Sequence, residues 1–230
     1  MIWPDWHASR QPRLEMRGPL DYRLYLVTDR ALSLGRTLTA IVAAAVLGGV
    51  TCVQVREKNC DTREFIEMAK AVKNVLASAE VGLIINDRLD VALAVEADGA
   101  HLGQSDMPLM MARNIVGDTM VIGISAESVA DAEAAERDGA DYIGVSPIFT
   151  TPTKTDTAAP LGLAGLAEIR CRVRLPLVGI GSIKADNSAE VIAHGADGIA
   201  VVSAIVSAPD CQAAASELRR QIDLALERRR

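Results

Sequence analysis

Acidic and amide side chains stand at a few points in the sequence, each directly after a short apolar run. Asn86 and Asp87 follow one such run, and Asp106 stands shortly after the next. If the two runs are neighbouring strands, about 5 Å apart, the two carboxylates could share one hard cation. Two protein oxygens, completed by water and a substrate phosphate, suit Mg²⁺, which seldom has a full protein cage. The competing interpretation is that each aspartate caps the helix that follows it.

Cations accompany this acidic pair. Arg56, Lys58 and Lys154 also follow apolar runs, and with the carboxylates they indicate a site for an anion bridged by a metal. Two late segments, Gly179–Ser182 and Val202–Ser203, are typical of loops that hold a phosphate on backbone N–H groups. An ordinary glycine turn is the alternative for these segments.

The histidines indicate little chemistry. His101 lies within an apolar run, where a packed or hydrogen-bonded role is favoured over that of a base. His194 is expected at the end of a helix, where a cation is favourable. The sequence has no H-E-x-x-H motif and no Ser-His-Asp arrangement. We therefore expect a reaction that needs no histidine base.

The elements that must position these residues alternate regularly. Eight apolar runs without polar alternation predict strands buried on both faces, as in a parallel sheet: Arg23–Thr28, Thr51–Arg56, Gly82–Asn86, Gly99–Leu102, Met120–Ile124, Tyr142–Val145, Leu177–Ile180 and Gly198–Val202. Eight amphipathic stretches predict the helices between them: Leu38–Leu47, Thr62–Ala79, Leu89–Val95, Pro108–Val116, Ser128–Asp138, Gly165–Arg172, Lys184–Ala193 and Pro209–Arg228.

This alternation predicts an α/β fold, a (β/α)₈ TIM barrel. The barrel would occupy residues 21–230 as one catalytic domain, at about 26 residues per unit, after a short irregular N-terminal extension over residues 1–20. An open doubly wound sheet is the alternative, but Thr28–Arg30 replaces the glycine-rich turn that dinucleotide-binding sheets carry after their first strand. Turns at Ala97–Ala100, Asp138–Asp141 and Gly195–Gly198 precede strands, and we expect a left-handed glycine to end the preceding helix.

Composition excludes several function classes. Twenty-four basic and 30 acidic side chains give a net charge of −6, which argues against general nucleic-acid binding. The apolar segment Leu38–Val55 is interrupted by Gly48 and Gly49, so we expect a helix, a turn and a strand rather than a membrane span. Four widely spaced cysteines without a C-x-x-C pair predict reduced thiols, and with the lack of a signal peptide pattern we expect a cytoplasmic protein.

The chain resembles the thiamine phosphate synthase family, also called thiamine phosphate pyrophosphorylases. The matching motifs run in order along almost the whole predicted barrel: Leu24–Asp29 (LYLVTD), Val53–Lys58 (VQVREK), Ile84–Arg88 (IINDR), Gly99–Pro108 (GAHLGQSDMP), Gly123–Ser125 (GIS), Gly139–Lys154 (GADYIGVSPIFTTPTK), Val178–Ile183 (VGIGSI) and Gly195–Ile205 (GADGIAVVSAI). The resemblance implies a transferase of thiamine biosynthesis that joins a hydroxymethylpyrimidine diphosphate to a thiazole phosphate, releasing pyrophosphate.

The resemblance also implies roles for individual residues. It assigns one Mg²⁺ per active site to Asp87 and Asp106. It assigns the pyrimidine diphosphate to Gln54, Val55, Arg56, Glu57, Lys58, Asn86, Ser125 and Lys154, of which Arg56, Lys58, Ser125 and Lys154 would be catalytic. It assigns the thiazole phosphate to Thr151, Pro152, Thr153, Ser182, Val202 and Ser203. The partners would be these small-molecule substrates, with no nucleic acid and no membrane, and a homo-oligomer stays possible.

Two departures bear on these roles. The family usually has glycine where this chain has Ser146, and Gly-Gly where it has Gly181 and Ser182. If the turn needs a positive φ at Ser182, the added Cβ costs roughly 1 kcal/mol or more. Two other functions therefore stay open: a thiazole tautomerase on the same barrel, and a non-catalytic regulatory paralogue that binds thiamine precursors.

Overall fold

A computed structural model of the chain describes residues 20–150 and 159–229. Within these ranges eight parallel strands, β1 to β8 in chain order, close into a barrel in which each strand pairs with its neighbours in sequence and β1 pairs with β8. The strands are Leu24–Val27, Cys52–Val55, Gly82–Asn86, Gly99–Leu102, Val121–Ala126, Tyr142–Val145, Leu177–Ile180 and Gly198–Val201. The predicted (β/α)₈ barrel is confirmed, and the open sheet is excluded.

Helices alternate with the strands outside the barrel. They are α1 Leu38–Leu47, α2 Thr62–Leu76, α3 Leu89–Ala94, α4 Leu109–Val116, α5 Val129–Arg137, α6 Gly162–Arg172, α7 Ala185–Ala193, α8 Ser203–Val206 and α9 Cys211–Arg229. All eight predicted helices are present. The short α8 was not predicted, because a single turn carries no amphipathic period. Gly48 and Gly49 separate α1 from β2 as expected.

Alternate residues of each strand face the helices and the barrel interior. In β1, Leu24 and Leu26 pack in the large apolar layer between strands and helices, whereas Tyr25 and Val27 belong to a small cluster inside the barrel. Leu26 stands opposite Val53 of β2 and Val201 of β8. Cys52, Val121 and Tyr142 of this interior cluster are the first residues of their strands, whereas the polar Gln54, Asn86 and Ser125 stand at or near the C-terminal ends of theirs.

Aspartates directly before β4, β6 and β8 fasten neighbouring strands together. Asp98, Asp141 and Asp197 accept backbone N–H groups from the first or second residue of the preceding strand, at 2.8, 2.7 and 3.0 Å. Each aspartate N–H also donates to a carbonyl oxygen of that strand. The same geometry at three places explains why the sequence repeats an aspartate before these strands.

The glycine part of that prediction is correct at two of the three turns. Gly139 and Gly195 have φ of 91° and 110° and directly follow Asp138 and His194, the C-cap residues of α5 and α7. In the third turn the left-handed residue is Glu96, with φ of 51°, while Gly99 is the first residue of β4. Gly99 is required for another reason, since a Cβ there would lie 2.6 Å from the carbonyl oxygen of Val121.

All four cysteines are free thiols. Among the described residues no helix is both long enough and apolar enough to span a membrane. The predicted extension lies outside the described residues except for Leu20.

Candidate active site

A cavity of about 610 Å³ opens at the C-terminal end of the barrel, and residues from all eight strand ends line it. Functional groups of such barrels occur at this end. A larger cavity, about 1050 Å³, opens at the opposite end, where Asp98, Asp141 and Asp197 fasten the strands. We assign the site to the smaller cavity because the sequence-predicted residues meet there: Gln54, Arg56, Lys58, Asn86, Asp87, Asp106, Ser125, Ser182, Val202 and Ser203.

The carboxyl groups of Asp87 and Asp106 lie within hydrogen-bonding reach of each other. Burial of Asp106, and then the neighbouring Asp87, raise the pKa of the Asp106 carboxyl group. Two carboxylates this close repel each other when both are charged, and a cation bound between them would relieve that repulsion. Asp87 has a left-handed φ of 60°, a conformation that aspartate adopts more readily than most residues.

Neither aspartate caps a helix. The Asp106 Oδ2 accepts the N–H of Gly103 at 2.7 Å within the loop after β4, and the N-cap of α4 is Pro108. The N-cap of α3 is Arg88, next to Asp87. The capping interpretation is therefore wrong for both residues, and their carboxyl groups are available to a ligand.

Cationic side chains border the acidic pair. The Lys58 Nζ lies 2.5 Å from Asp87 Oδ2, and the Lys58 side chain is half exposed. The Arg56 guanidinium lies 3.7 Å from Asp29 Oδ2, and its backbone N–H donates to the Thr28 hydroxyl at 3.1 Å. The cavity therefore presents alternating charges over a short distance, which suits an anion bound together with a divalent cation.

The turn after β7 requires left-handed backbone at two successive residues. Gly181 has φ of 117° and Ser182 has φ of 50°. Ser182 thus has the positive φ that was expected to be costly for a residue with a Cβ. Its backbone is strained here, whereas that of a glycine would not be. The Ser182 hydroxyl donates to the carbonyl oxygen of Thr150 at 2.7 Å, which compensates part of that strain.

Comparison with known proteins decides the family. The family model described as thiamine monophosphate synthase matches residues 24–205. The chain belongs to the thiamine monophosphate synthase family.

Curated relatives and a solved structure agree with this assignment. A thiamine-phosphate synthase of Chloroflexus aurantiacus is 52% identical over 209 residues, covering 91% of this chain and 96% of the relative. One of Albidiferax ferrireducens is 54% identical over 201 residues, covering 87% and 92%. The solved thiamine phosphate pyrophosphorylase of Pyrococcus furiosus superposes with a TM-score of 0.83 at 40% identity, covering 90% of this chain and 98% of that one. The resemblance seen in the motifs is confirmed.

Two residues of the family's Q-x-R-E-K motif lie outside the cavity lining. Val55 is fully buried in the apolar layer under the helices. The Glu57 carboxylate pairs with Arg30 at 3.0 Å. The side chains of Val55 and Glu57 therefore pack against or pair with protein groups outside the cavity. A substrate contact from either residue would have to come from its backbone. Thr151, Pro152, Thr153 and Lys154 lie outside the described residues.

Several residues that line the cavity of this thiamine monophosphate synthase family member were not predicted as site residues. Tyr25 and Tyr142 reach the cavity from inside the barrel, and Gln104 donates to the Ser125 carbonyl oxygen at 2.5 Å. His101 is hydrogen-bonded, as predicted, to Tyr142 and Ser125. The sequence did contain a signal for these residues, namely tyrosines within apolar strands. A buried phenol needs a hydrogen-bond partner, so each such tyrosine indicates a polar neighbour inside the barrel.

Proposed function

We propose that the chain catalyses the reaction named by its curated relatives, the synthesis of thiamine phosphate. The substrates would be 4-amino-2-methyl-5-(diphosphooxymethyl)pyrimidine and a thiazole phosphate, and the products thiamine phosphate and pyrophosphate. The observation that carries the proposal is the carboxyl pair of Asp87 and Asp106 beside Lys58 and Arg56 in one cavity.

The donor set fits one magnesium ion. Asp87 and Asp106 would supply two oxygen ligands, and water and diphosphate oxygens would supply the others. Within the described residues no group of three or more acidic, histidine or cysteine side chains forms a protein-only metal cage, which agrees with an ion shared between protein and substrate. When bound, Mg²⁺ would neutralise charge on the diphosphate leaving group.

The protein's own side chains act mainly on charge and position. Arg56 and Lys58 stabilise the charge that the diphosphate gains as the bond between the pyrimidine methylene carbon and oxygen breaks. The substitution would be dissociative: both bonding electrons leave with the diphosphate, and the thiazole nitrogen lone pair then attacks the pyrimidine-methyl cation to form the new C–N bond. No proton is removed in this substitution, so no general base is needed. Gln54, Asn86 and Ser125 would hold the pyrimidine substrate in line for attack.

The remaining assignments follow from the same proposal. Ser182, Val202 and Ser203, at the ends of β7 and β8, would bind the thiazole phosphate together with Thr151, Pro152 and Thr153, and Lys154 would bind the diphosphate. Residues 21–230 would form the catalytic domain. A cytoplasmic location is supported by the four free thiols.

An Asp87→Asn variant tests the carboxylate assignment. We expect turnover to fall on the order of 100-fold, because the variant loses one ionic ligand to a charge-neutralising site. Asp90→Asn is the matched control, since Asp90 lies three residues away, pairs with Arg88 and is 60% exposed. We expect the control to retain turnover to within about twofold.

Circular dichroism of both variants would verify folding. Equal turnover in Asp87→Asn and wild type would contradict the metal assignment. A wild-type protein that isomerises a thiazole phosphate without joining it to the pyrimidine would favour the tautomerase.

A further inference from the structure

A continuous chain of hydrogen bonds crosses the barrel interior beneath the cavity. The Gln54 amide nitrogen donates to the Tyr25 hydroxyl at 2.8 Å, and the hydroxyls of Tyr25 and Tyr142 are 2.9 Å apart. The Tyr142 hydroxyl lies 3.0 Å from His101 Nδ1, and His101 Nε2 lies 2.9 Å from the Ser125 Oγ. The chain thus contains five side chains on five strands. Its two ends, Gln54 and Ser125, both line the cavity.

The barrel is built to accommodate this chain. A Cβ at Gly123 would collide with the Tyr142 ring, and one at Gly144 would lie 2.9 Å from His101 Cε1. Tyr25 and Tyr142 are 2% and 0% exposed, yet their hydroxyls are paired. Glycine within a strand weakens a sheet. Gly123 and Gly144 nevertheless stand in strands, where the rings of Tyr142 and His101 need the space.

The donors and acceptors of the chain can be ordered in one direction. Each phenol has one hydrogen, and a neutral imidazole has one donor and one acceptor nitrogen. Gln54 donates to Tyr25, and one order that satisfies every link has Tyr25 donating to Tyr142 and Tyr142 donating to His101 Nδ1. His101 then donates from Nε2 to Ser125.

This order fixes what the two ends offer to a ligand. Ser125 accepts from His101, so its own hydroxyl hydrogen is left to donate elsewhere. Gln54 uses its amide nitrogen inside the chain, so its carbonyl oxygen is left as an acceptor. Burial raises the pKa of both Tyr25 and Tyr142, so their hydroxyls stay protonated.

We propose that Tyr25, Tyr142 and His101 are positioning residues that couple Gln54 to Ser125, presenting one acceptor and one donor to the pyrimidine diphosphate. The acceptor suits the amino group of the pyrimidine, and the donor suits an anionic diphosphate oxygen. This inference deepens the proposed function and rests on it. It assigns a role to three side chains that need not touch a reacting atom.

A double-mutant cycle between Tyr142→Phe and Ser125→Ala tests the coupling. The Tyr142→Phe variant keeps the ring and removes one link, and we expect kcat/KM for the pyrimidine diphosphate to fall about 3- to 10-fold. If Tyr142 acts through Ser125, the double variant should be no worse than Ser125→Ala alone, within about twofold. The KM for the thiazole phosphate should not change.

Tyr22→Phe is the matched control. The Tyr22 ring stacks on Tyr142 with centroids 4.5 Å apart, but Tyr22 lies at the N-terminal end of the barrel and outside the chain. Its variant should keep wild-type kinetics. If Tyr142→Phe does not fold, Tyr25→Phe breaks the same chain one link earlier and gives a second cycle against Ser125→Ala. Multiplicative losses in the cycle, or no loss in the single tyrosine variant, would overturn the proposal.

The histidine tautomer gives a readout that needs no activity. The chain has three histidines, so nitrogen-15 spectra of wild type and of a His101→Gln variant identify the His101 signals. We expect a neutral ring protonated at Nε2 in wild type, and a changed Nδ1 signal in Tyr142→Phe. A ring protonated at Nδ1 would overturn the direction of the chain. Wild type that makes no thiamine phosphate would overturn the proposed function, while the tautomer measurement would still decide the chain.

Discussion

At the scale of single residues, the carboxyl groups of Asp87 and Asp106 dominate the electrostatics of the site. They lie within hydrogen-bonding reach of each other, and burial together with this contact raises the Asp106 pKa. Lys58 offsets part of the charge of Asp87. A pair of this kind destabilises the metal-free protein and becomes favourable when a divalent cation binds.

An Asp106→Asn variant should therefore be more stable than wild type without Mg²⁺. The substitution removes the repulsion with Asp87 and keeps an oxygen that can accept from Gly103. We expect a gain of about 0.5–1 kcal/mol at pH 7 in EDTA, by denaturant unfolding. Adding Mg²⁺ should raise the wild-type stability more than that of the variant. A variant less stable than wild type in EDTA would contradict this view of the pair.

Ser182 separates the effect of backbone strain from that of its hydroxyl. The Ser182→Ala variant keeps the left-handed Cβ and loses the bond to Thr150, so we expect a loss of about 1 kcal/mol. The Ser182→Gly variant loses the same bond but relieves strain of about 1 kcal/mol, so we expect a stability near that of wild type. Urea unfolding of both variants measures the difference. Equal stabilities for the two would show that the positive φ costs nothing here.

At the scale of elements, the aspartates before β4, β6 and β8 hold strand pairs together from the N-terminal end. Asp141 accepts from the N–H of Ile122 and from Arg113, both at 2.7 Å. The loops at the other end are thereby free to carry polar residues, since they need not hold the strands. This division of stability and chemistry between the two ends is general among such barrels.

An Asp141→Ala variant should lose about 1–3 kcal/mol, because the N–H of the buried Ile122 loses a charged acceptor. Asp138→Ala is the control, since the Asp138 side chain pairs with its neighbour Arg137 at 3.0 Å. We expect the control to change stability by less than about 0.5 kcal/mol. Guanidinium unfolding measures both. A control as destabilised as Asp141→Ala would contradict the special role of this aspartate.

The elements themselves were predictable because apolar runs and amphipathic stretches are local signals. Strands β3, β4, β6 and β7 and helix α1 match their predicted bounds, and each of the other predicted elements differs by one to three residues at one or both ends. The positions of polar residues at strand ends were predictable from the same signals, whereas the roles proposed for them came from the family motifs. The interior chain was not, because Tyr25 and Tyr142 are 117 positions apart and meet only through barrel closure. Positive φ at Ser182 likewise depends on the turn geometry rather than on its residue type.

At the scale of the whole molecule, ion pairs join the segment just before β1 to the last helix, α9. Arg23 binds Asp21 through two guanidinium nitrogens and lies 3.2 Å from Asp223 of α9. Asp223 also pairs with Arg219 at 2.8 Å. Helix α9 therefore fastens the beginning of the barrel to its end.

Acid should weaken this junction. Burial raises the pKa of Asp21, but its contacts with Arg23 outweigh burial and hold the pKa below the ordinary value of 3.8. The carboxylate therefore contributes stability above pH 3.8 that is lost as the pH falls through the lowered pKa. An Asp21→Asn variant should be about 0.5–1 kcal/mol less stable than wild type at pH 7, since Arg23 is partly exposed. The difference should shrink toward pH 2 to 3 in urea unfolding; a constant difference would contradict it.

The central claim is that this cavity joins the two thiamine precursors with the help of a divalent cation at Asp87 and Asp106. The most direct measurement is to incubate the purified chain with the pyrimidine diphosphate and the thiazole phosphate, with Mg²⁺ or with EDTA, and to quantify thiamine phosphate and pyrophosphate. We predict equal amounts of both products with Mg²⁺ and none with EDTA. Thiamine phosphate formed at the same rate in EDTA would contradict the metal site, and no product with Mg²⁺ would contradict the proposed function.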